Sequence, residues 1–283
     1  MKHDFSALLN AVGNSSPVAT ETASAAPVAR LAATFGIPVP ASTKGDLLPV
    51  GWHGVYFGAL YHPDNMRPDG HLISSGWLPA VPLRHYRLGR DDAEYPGDIR
   101  IGDRLTRVSK VIDVSVSGTD DNPLLHITQR SEISGPRGLA VIEERESLYF
   151  DGDRPVPGPA PALPDPVWRK RVEPDPVLMF RYSAVRFNSH RIHYDRDFAM
   201  NVEGLPGLVV QATLTAQLSL ELCRAKLPHR RMVSYAAFNR HPTYDTDPFT
   251  VCGAPAPDGN SVAMWTLDAN GSPAQVGEIR MGS

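Results

Sequence analysis

The sequence predicts an α+β fold made of two units, each a helix followed by antiparallel strands. Three observations predict it. A proline-rich stretch from Arg154 to Pro166 divides the chain into halves of different content. On both sides of it, runs with an alternating or apolar character are joined by short polar turns, the pattern of antiparallel sheet. A long apolar segment, Leu208 to Leu222, opens the strand-rich part of the second half. The expected division is a first domain over 1–153, a linker over 154–171 and a second domain over 172–283.

Taken in order, Pro27 to Phe35 reads as a helix, with proline near its first turn and Gly36 ending it. The aromatic stretch Trp52 to Tyr61 reads as the first central helix or the approach to it. From Met66 to Asp98 proline and glycine punctuate the chain, which predicts loops; they carry His71, Trp77, Arg84, His85 and Arg87. Strands are expected over Ile99 to Val116, Leu124 to Ile133 and Leu139 to Phe150. Alternating prolines fix φ across the linker and hold it extended. Val177 to Ser183 reads as a strand or sheet edge. Leu208 to Leu222 has a strand-like period of two, but it is longer than most strands and rich in Ala, Leu, Gln and Glu, which favours a buried helix. Strands follow over Arg231 to Phe238, Pro248 to Gly253, Ser261 to Leu267 and Gln275 to Met281. The last two flank a hairpin turn at Asp268-Ala269-Asn270-Gly271.

Composition sets outer limits. With 283 residues the chain can bury one large or two ordinary cores. A formal net charge of -3 without a basic run argues against nucleic acid as a partner. Cys223 and Cys252 give neither a disulfide framework nor metal-ligand spacing and read as reduced thiols of a cytoplasmic protein. No apolar run reaches the roughly twenty residues of a membrane span. The start, Met1-Lys2-His3-Asp4-Phe5, lacks the basic region and apolar core of a secretory signal, so no membrane partner is expected.

The chemistry concentrates in one run. Asn188, His190, His193 and Asp195 stand just ahead of the apolar segment, which Leu205-Pro206-Gly207 opens. A proton-transfer group then lies beside a helix N-terminus with unpaired N–H groups, the pairing that enolate and oxyanion chemistry needs. His193 is either the base or a hydrogen-bonded core histidine. His190, three residues earlier, suggests a metal pair, but no third ligand stands at a recognisable spacing, so no metal is expected. Asp195 is placed as a helix N-cap. Arg84, Arg87 and Arg191 are either surface residues or partners for a carboxylate or phosphate.

Asn188-Ser189-His190-Arg191-Ile192-His193-Tyr194-Asp195, followed by Gly204-Leu205-Pro206-Gly207-Leu208-Val209-Val210, resembles the hydratase motif of the MaoC-like hot-dog enzymes. More narrowly it is similar to the type 2 3-hydroxyacyl-thioester dehydratases and to mesaconyl-CoA and itaconyl-CoA hydratases. Gly51 to Phe57, Asp69-Gly70-His71, Gly76 to Leu83, Ile101 to Arg104 and Phe249 to Gly253 also resemble that family, so the likeness covers most of the chain. It implies a double hot-dog fold, two antiparallel sheets each wrapped around a central helix, and it too favours helix over Leu208 to Leu222.

The resemblance also implies roles. His193 and Asn188 fall on the catalytic pair, with Asn188 where simpler hydratases carry aspartate; an amide orients water but does not take its proton. His193 would then take the proton from water, backbone N–H groups near Ala212 would hold the thioester enolate, and the histidinium would return the proton to the α-carbon. Gln211-Ala212 stands where relatives commonly carry His-Gly. His190, Arg191, Gly207, Gln211, Ala212 and Arg87 are the expected substrate-binding residues. The implied substrate is a short branched dicarboxylic enoyl-CoA, with a 3-hydroxyacyl-thioester dehydratase on ordinary chains or a non-catalytic acyl-CoA binder as rivals. No cofactor is expected, since coenzyme A belongs to the substrate. A homodimer is compatible with the sequence, which does not set the oligomeric state.

Overall fold

Ten strands form a single antiparallel sheet, and their order shows how the two halves relate. In the computed structural model, which describes residues 3–152, 154–155 and 157–282, the strands are β1 (Ala19–Thr22), β2 (His85–Glu94), β3 (Arg104–Gly118), β4 (Pro123–Gly135), β5 (Gly138–Phe150), β6 (Trp168–Val172), β7 (Met232–Asn239), β8 (Phe249–Pro255), β9 (Ser261–Leu267) and β10 (Pro273–Met281). Their order is β1-β3-β4-β5-β2-β7-β10-β9-β8-β6. The first five and the last five follow the same order, run outward in opposite directions from the β2–β7 pair. This is hot-dog architecture doubled. The two expected sheets are one, joined where Arg90 to Glu94 pair with Ser234 to Phe238.

Two helices match the sequence reading closely. Helix α1 is a single turn, Ser6–Leu9; α2 is Ala25–Phe35 and ends at Gly36, whose φ of 65° is the left-handed cap glycine provides. Helix α4, Ala212–Lys226, is the central helix of the second half. It starts four residues later than the period suggested; Val209 instead bridges Tyr244 in extended backbone. From Leu214 to Leu220 every residue is buried, so the sequence needs no single apolar face and helical periodicity disappears.

Three expectations are corrected. Val177 to Ser183 is not a strand but part of α3, Pro176–Arg186. The Asp175 carboxylate accepts from the Val177 and Leu178 N–H groups at 2.7 and 3.0 Å, and Pro176 fills the first helical position, a start signal that outweighs the β-branched residues. The stretch 66–98 is not all loop, because it contains β2. That strand buries Asp91 where alternation should show an apolar residue, since Arg145 and Tyr235 satisfy its carboxylate from the neighbouring strands. At Gly89 the register shifts, and a Cβ there would meet Glu146 at 2.6 Å. Finally, Trp52 to Tyr61 holds only one 3-10 turn, Trp52–Val55; Gly54 lies against the Arg186 guanidinium and Gly58 against Phe187, so α3 occupies the space a longer helix would need.

The proline-rich stretch runs extended, without helix or strand at its described positions, up to β6, which takes in Trp168 to Arg171 of the expected linker. It is tied down rather than free: the Pro155 carbonyl accepts from Arg87, the Gly158 carbonyl from Arg240, and Leu163 packs on the Cys252–Trp265–Val276 cluster. No helix among the described residues is long and apolar enough to cross a membrane.

Candidate active site

Helix α3 delivers the site. It ends at Phe187, held at φ 52°, and the Asn188 N–H closes onto the Ser183 carbonyl at 2.8 Å. A 3-10 turn, Arg191–His193, follows. Asn188 Oδ1 accepts the His190 N–H at 3.1 Å, which fixes the amide within the turn. Asp195 ends the run as expected, accepting from the Phe198 N–H at 3.0 Å.

His193 is buried, and Nδ1 lies 2.7 Å from the Val209 carbonyl. A carbonyl only accepts, so Nδ1 carries the hydrogen and the lone pair is on Nε2. Burial, opposed by the Val209 hydrogen bond and aided by nearby His71, pushes the ring down to about 4, so it is neutral at pH 7. His190 is also buried, and burial together with His71 and His193 holds it well below the usual histidine range. The His190 ring lies 5.2 Å from that of His193 and 4.0 Å from that of His71.

These groups line a cavity of about 600 Å³. One wall is β2, with Tyr86, Arg87 and Leu88; a second is Asn239 to Tyr244; a third is the start of α4. There Gln211 is the N-cap by backbone conformation, and its side chain turns back to donate to the Met179 carbonyl and Ser183 Oγ at 2.9 and 2.8 Å. The Ala212 and Thr213 N–H groups have no partner among the described residues, and both residues line the cavity. A neutral histidine therefore shares a pocket with an open helix N-terminus. That arrangement can take a proton from water while holding negative charge on a thioester oxygen.

The cavity brings together Asn188, His190, His193, Gln211, Ala212 and Arg87 of the expected residues and leaves out two. Arg191 is paired with Asp195 at 2.7 Å, donates to the Pro68 carbonyl and covers the Phe198 ring, contacts that brace the loop. Gly207 is not at the helix start; a Cβ there would meet Asp245 Oδ1 at 2.7 Å, the same oxygen that accepts the Leu208 N–H. Arg84 donates to the Val202 carbonyl, away from the cavity. Arg87 lies in the cavity wall, but its Nη atoms donate to the carbonyls of Pro155, Asn239 and Arg240. Its main visible role is to tie the linker to the strand β7 end.

Sequence reasoning missed Arg154, Arg240 and His241, which also line the cavity, and gave His71 no role in the site. Arg154 looked like the start of a linker, and nothing local marks it otherwise. Among the described residues it has no ion pair. Among the described residues no aspartate or glutamate lines the cavity. The His190–His193 pair weighed from the sequence gains no third ligand; instead ligand atoms of Asp69, His71 and His190 lie within 4.8 Å of one another.

Fold and site together define a hot-dog hydratase or dehydratase. Comparison with known proteins makes this specific: the family model for hydroxyacyl-thioester dehydratase type 2 matches residues 51–245, and the chain belongs to that family of acyl-thioester hydratases and dehydratases. It is 32% identical over 254 residues to mesaconyl-C(4)-CoA hydratase of Chloroflexus aurantiacus, covering 89% of this chain and 90% of that one. It is 24% identical to the mitochondrial hydroxyacyl-thioester dehydratase type 2 of Schizosaccharomyces pombe, over 81% of this chain and 87% of that one. In fold it is similar to a MaoC-like dehydratase (TM-score 0.69, 14% identity, 97% and 99% of the two chains). It is also similar to HtdX of Mycobacterium tuberculosis (TM-score 0.65, 17% identity, 94% and 100%). A third likeness is to an M. tuberculosis protein described as having a double hotdog fold (TM-score 0.58, 14% identity, 95% of each).

Proposed function

We propose that the enzyme adds water to a short branched dicarboxylic enoyl-CoA, itaconyl-CoA or mesaconyl-CoA, giving a citramalyl-type product. The observation that carries this reading is the charge of the cavity wall. Arg154 and Arg240 line it beside Arg87, with no carboxylate among the described lining residues to offset them. A free acyl carboxylate is a partner for such a wall; the coenzyme A phosphates are common to every candidate substrate, and the substrate panel separates the two. The 32% identity to a mesaconyl-C(4)-CoA hydratase supports the same class.

In this reading His193 Nε2 removes a proton from water that the Asn188 amide positions. Oxygen adds at the β-carbon, and the Ala212 and Thr213 N–H groups hold the enolate oxygen. The α-carbon then takes a proton and the carbonyl re-forms. The test is a substrate panel followed by loss of enoyl-thioester absorbance. The dicarboxylic thioesters should give kcat/KM above that of crotonyl-CoA. Arg154→Gln should raise KM for the dicarboxylic substrates far more than for crotonyl-CoA. Crotonyl-CoA outperforming both would indicate a dehydratase of ordinary acyl chains, and binding without turnover of any member would indicate an acyl-CoA-binding protein.

A further inference from the structure

Beneath the first turn of α4, three polar side chains form a row across the sheet. Asn239 on β7, Gln275 on β10 and Thr266 on β9 stand directly opposite one another on neighbouring strands. Side chains at such positions share one face of the sheet. That face is the one toward α4, because Gln275 Nε2 donates to the Ala212 carbonyl at 3.0 Å. All three residues line the cavity. At the next position across, on β8, the row ends in the buried Val251.

Bonds within the row decide which atoms are left over. Gln275 Nε2 donates to a backbone carbonyl, which fixes the orientation of that amide, and it also donates to Asn239 Oδ1 at 2.7 Å. Asn239 is thereby turned so that Nδ2 is its remaining donor, and this nitrogen is buried without a partner among the described residues. Thr266 is 0% exposed, and its Oγ1 is likewise buried without a partner. The Arg87 guanidinium brings positive charge to one end of the row, since it donates to the Asn239 carbonyl. Gln211 Oε1, also buried without a partner, only accepts, so it suits a water or hydroxyl hydrogen and not an anion. Burying donors unpaired costs stability. Two of them in the wall of one cavity point to an acceptor that arrives with the ligand.

We infer that this row is a carboxylate subsite: Asn239 Nδ2 and the Thr266 hydroxyl donate to the free carboxylate of a short dicarboxylic acyl chain. The inference rests on the dicarboxylic part of the reading above and deepens it. Gln275 touches the carbonyl of Ala212, the residue whose N–H receives the thioester oxygen in that reading, so the two ends of the acyl group are held close together. A chain of a few carbons spans them. An apolar acyl end would leave both donors unpaired in a dry site, the situation in which binding sites discriminate most strongly.

The test measures binding, which does not depend on turnover. Succinyl-CoA and butyryl-CoA have acyl chains of the same length, carry no double bond to hydrate and share the same phosphates; they differ in the terminal carboxylate. By titration calorimetry the full-length wild type should bind succinyl-CoA at least about tenfold more tightly, the size expected of hydrogen bonds to a charged group. Asn239→Asp keeps the acceptor for Gln275 but sets a carboxylate against that of the ligand, and Thr266→Val keeps the shape without the hydroxyl. Each should cut the preference for succinyl-CoA by about tenfold or more. The thermal midpoint of ligand-free Thr266→Val should equal or exceed that of the wild type, because a buried unpaired hydroxyl is removed; a purely structural threonine would lower it. Should Asn239→Asp not fold, Thr266→Val decides alone. No preference in the wild type, or an unchanged preference in either folded variant, overturns the subsite. The hydratase reading fails separately, if the wild type hydrates no enoyl-CoA; a preference for succinyl-CoA that the variants abolish would still uphold the subsite.

Discussion

Its own neighbours set the state of His193, the proposed base: the Val209 carbonyl fixes the tautomer and burial keeps the ring neutral. Two predictions belong to this scale. Asn188→Asp restores the carboxylate of simpler hydratases, but it places negative charge beside a negatively charged substrate. Turnover should survive better with crotonyl-CoA than with a dicarboxylic thioester, and equal loss with both would remove the argument from charge. The second concerns pH. His193 is lowered to about 4 from 6.5, so between those values the unfolded chain binds more protons than the folded one. Its contribution to stability is therefore full above about 6.5 and is lost as pH falls toward about 4. His190 acts in the same direction. Urea midpoints should fall across this window, and His193→Gln should make the fall shallower; an unchanged slope would mean that the ring is not buried neutral. Asn188 and His193 were legible in the sequence because six consecutive positions hold the whole turn. His71 was legible as a residue but not as a partner, since its contact with His190 crosses between distant segments.

Helix α4 matters through its first turn. Ala212 sits at the first helical position and Gln211 has ψ 127°, the conformation a residue before proline prefers. Ala212→Pro should therefore keep the helix and delete one N–H donor. If that donor holds the enolate oxygen, kcat should drop by about 100- to 1000-fold with the circular dichroism spectrum unchanged; a kcat within error of wild type would remove Ala212 from the mechanism. At this scale the sequence was legible where local chemistry decides, as in the Gly36 cap and the Asp268–Gly271 hairpin. It was illegible where tertiary contacts decide. Strand β2 is charged because its partners neutralise it, and α4 shows no face because its middle, Leu214 to Leu220, is buried all round.

Across the whole molecule, the matching strand order of the halves was visible only as a coarse succession of helix then strands. Their fusion into one sheet was not, because the β2 side of the β2–β7 pair, Arg90 to Glu94, is mostly charged and carries no alternating apolar signal. The proline-rich stretch connects the halves and also contributes Arg154 and Pro155 to the cavity wall. Elastase should cut first near the exposed Ala160 and Ala162, between the anchor at Gly158 and strand β6, and a first cut within α4 would contradict its burial. The measurement that tests the account most directly is the turnover of mesaconyl-CoA by wild type and His193→Ala, followed as loss of enoyl-thioester absorbance. The account predicts rapid hydration by the wild type and a rate about 100- to 10,000-fold lower in the folded variant. Near-normal turnover by His193→Ala would contradict it.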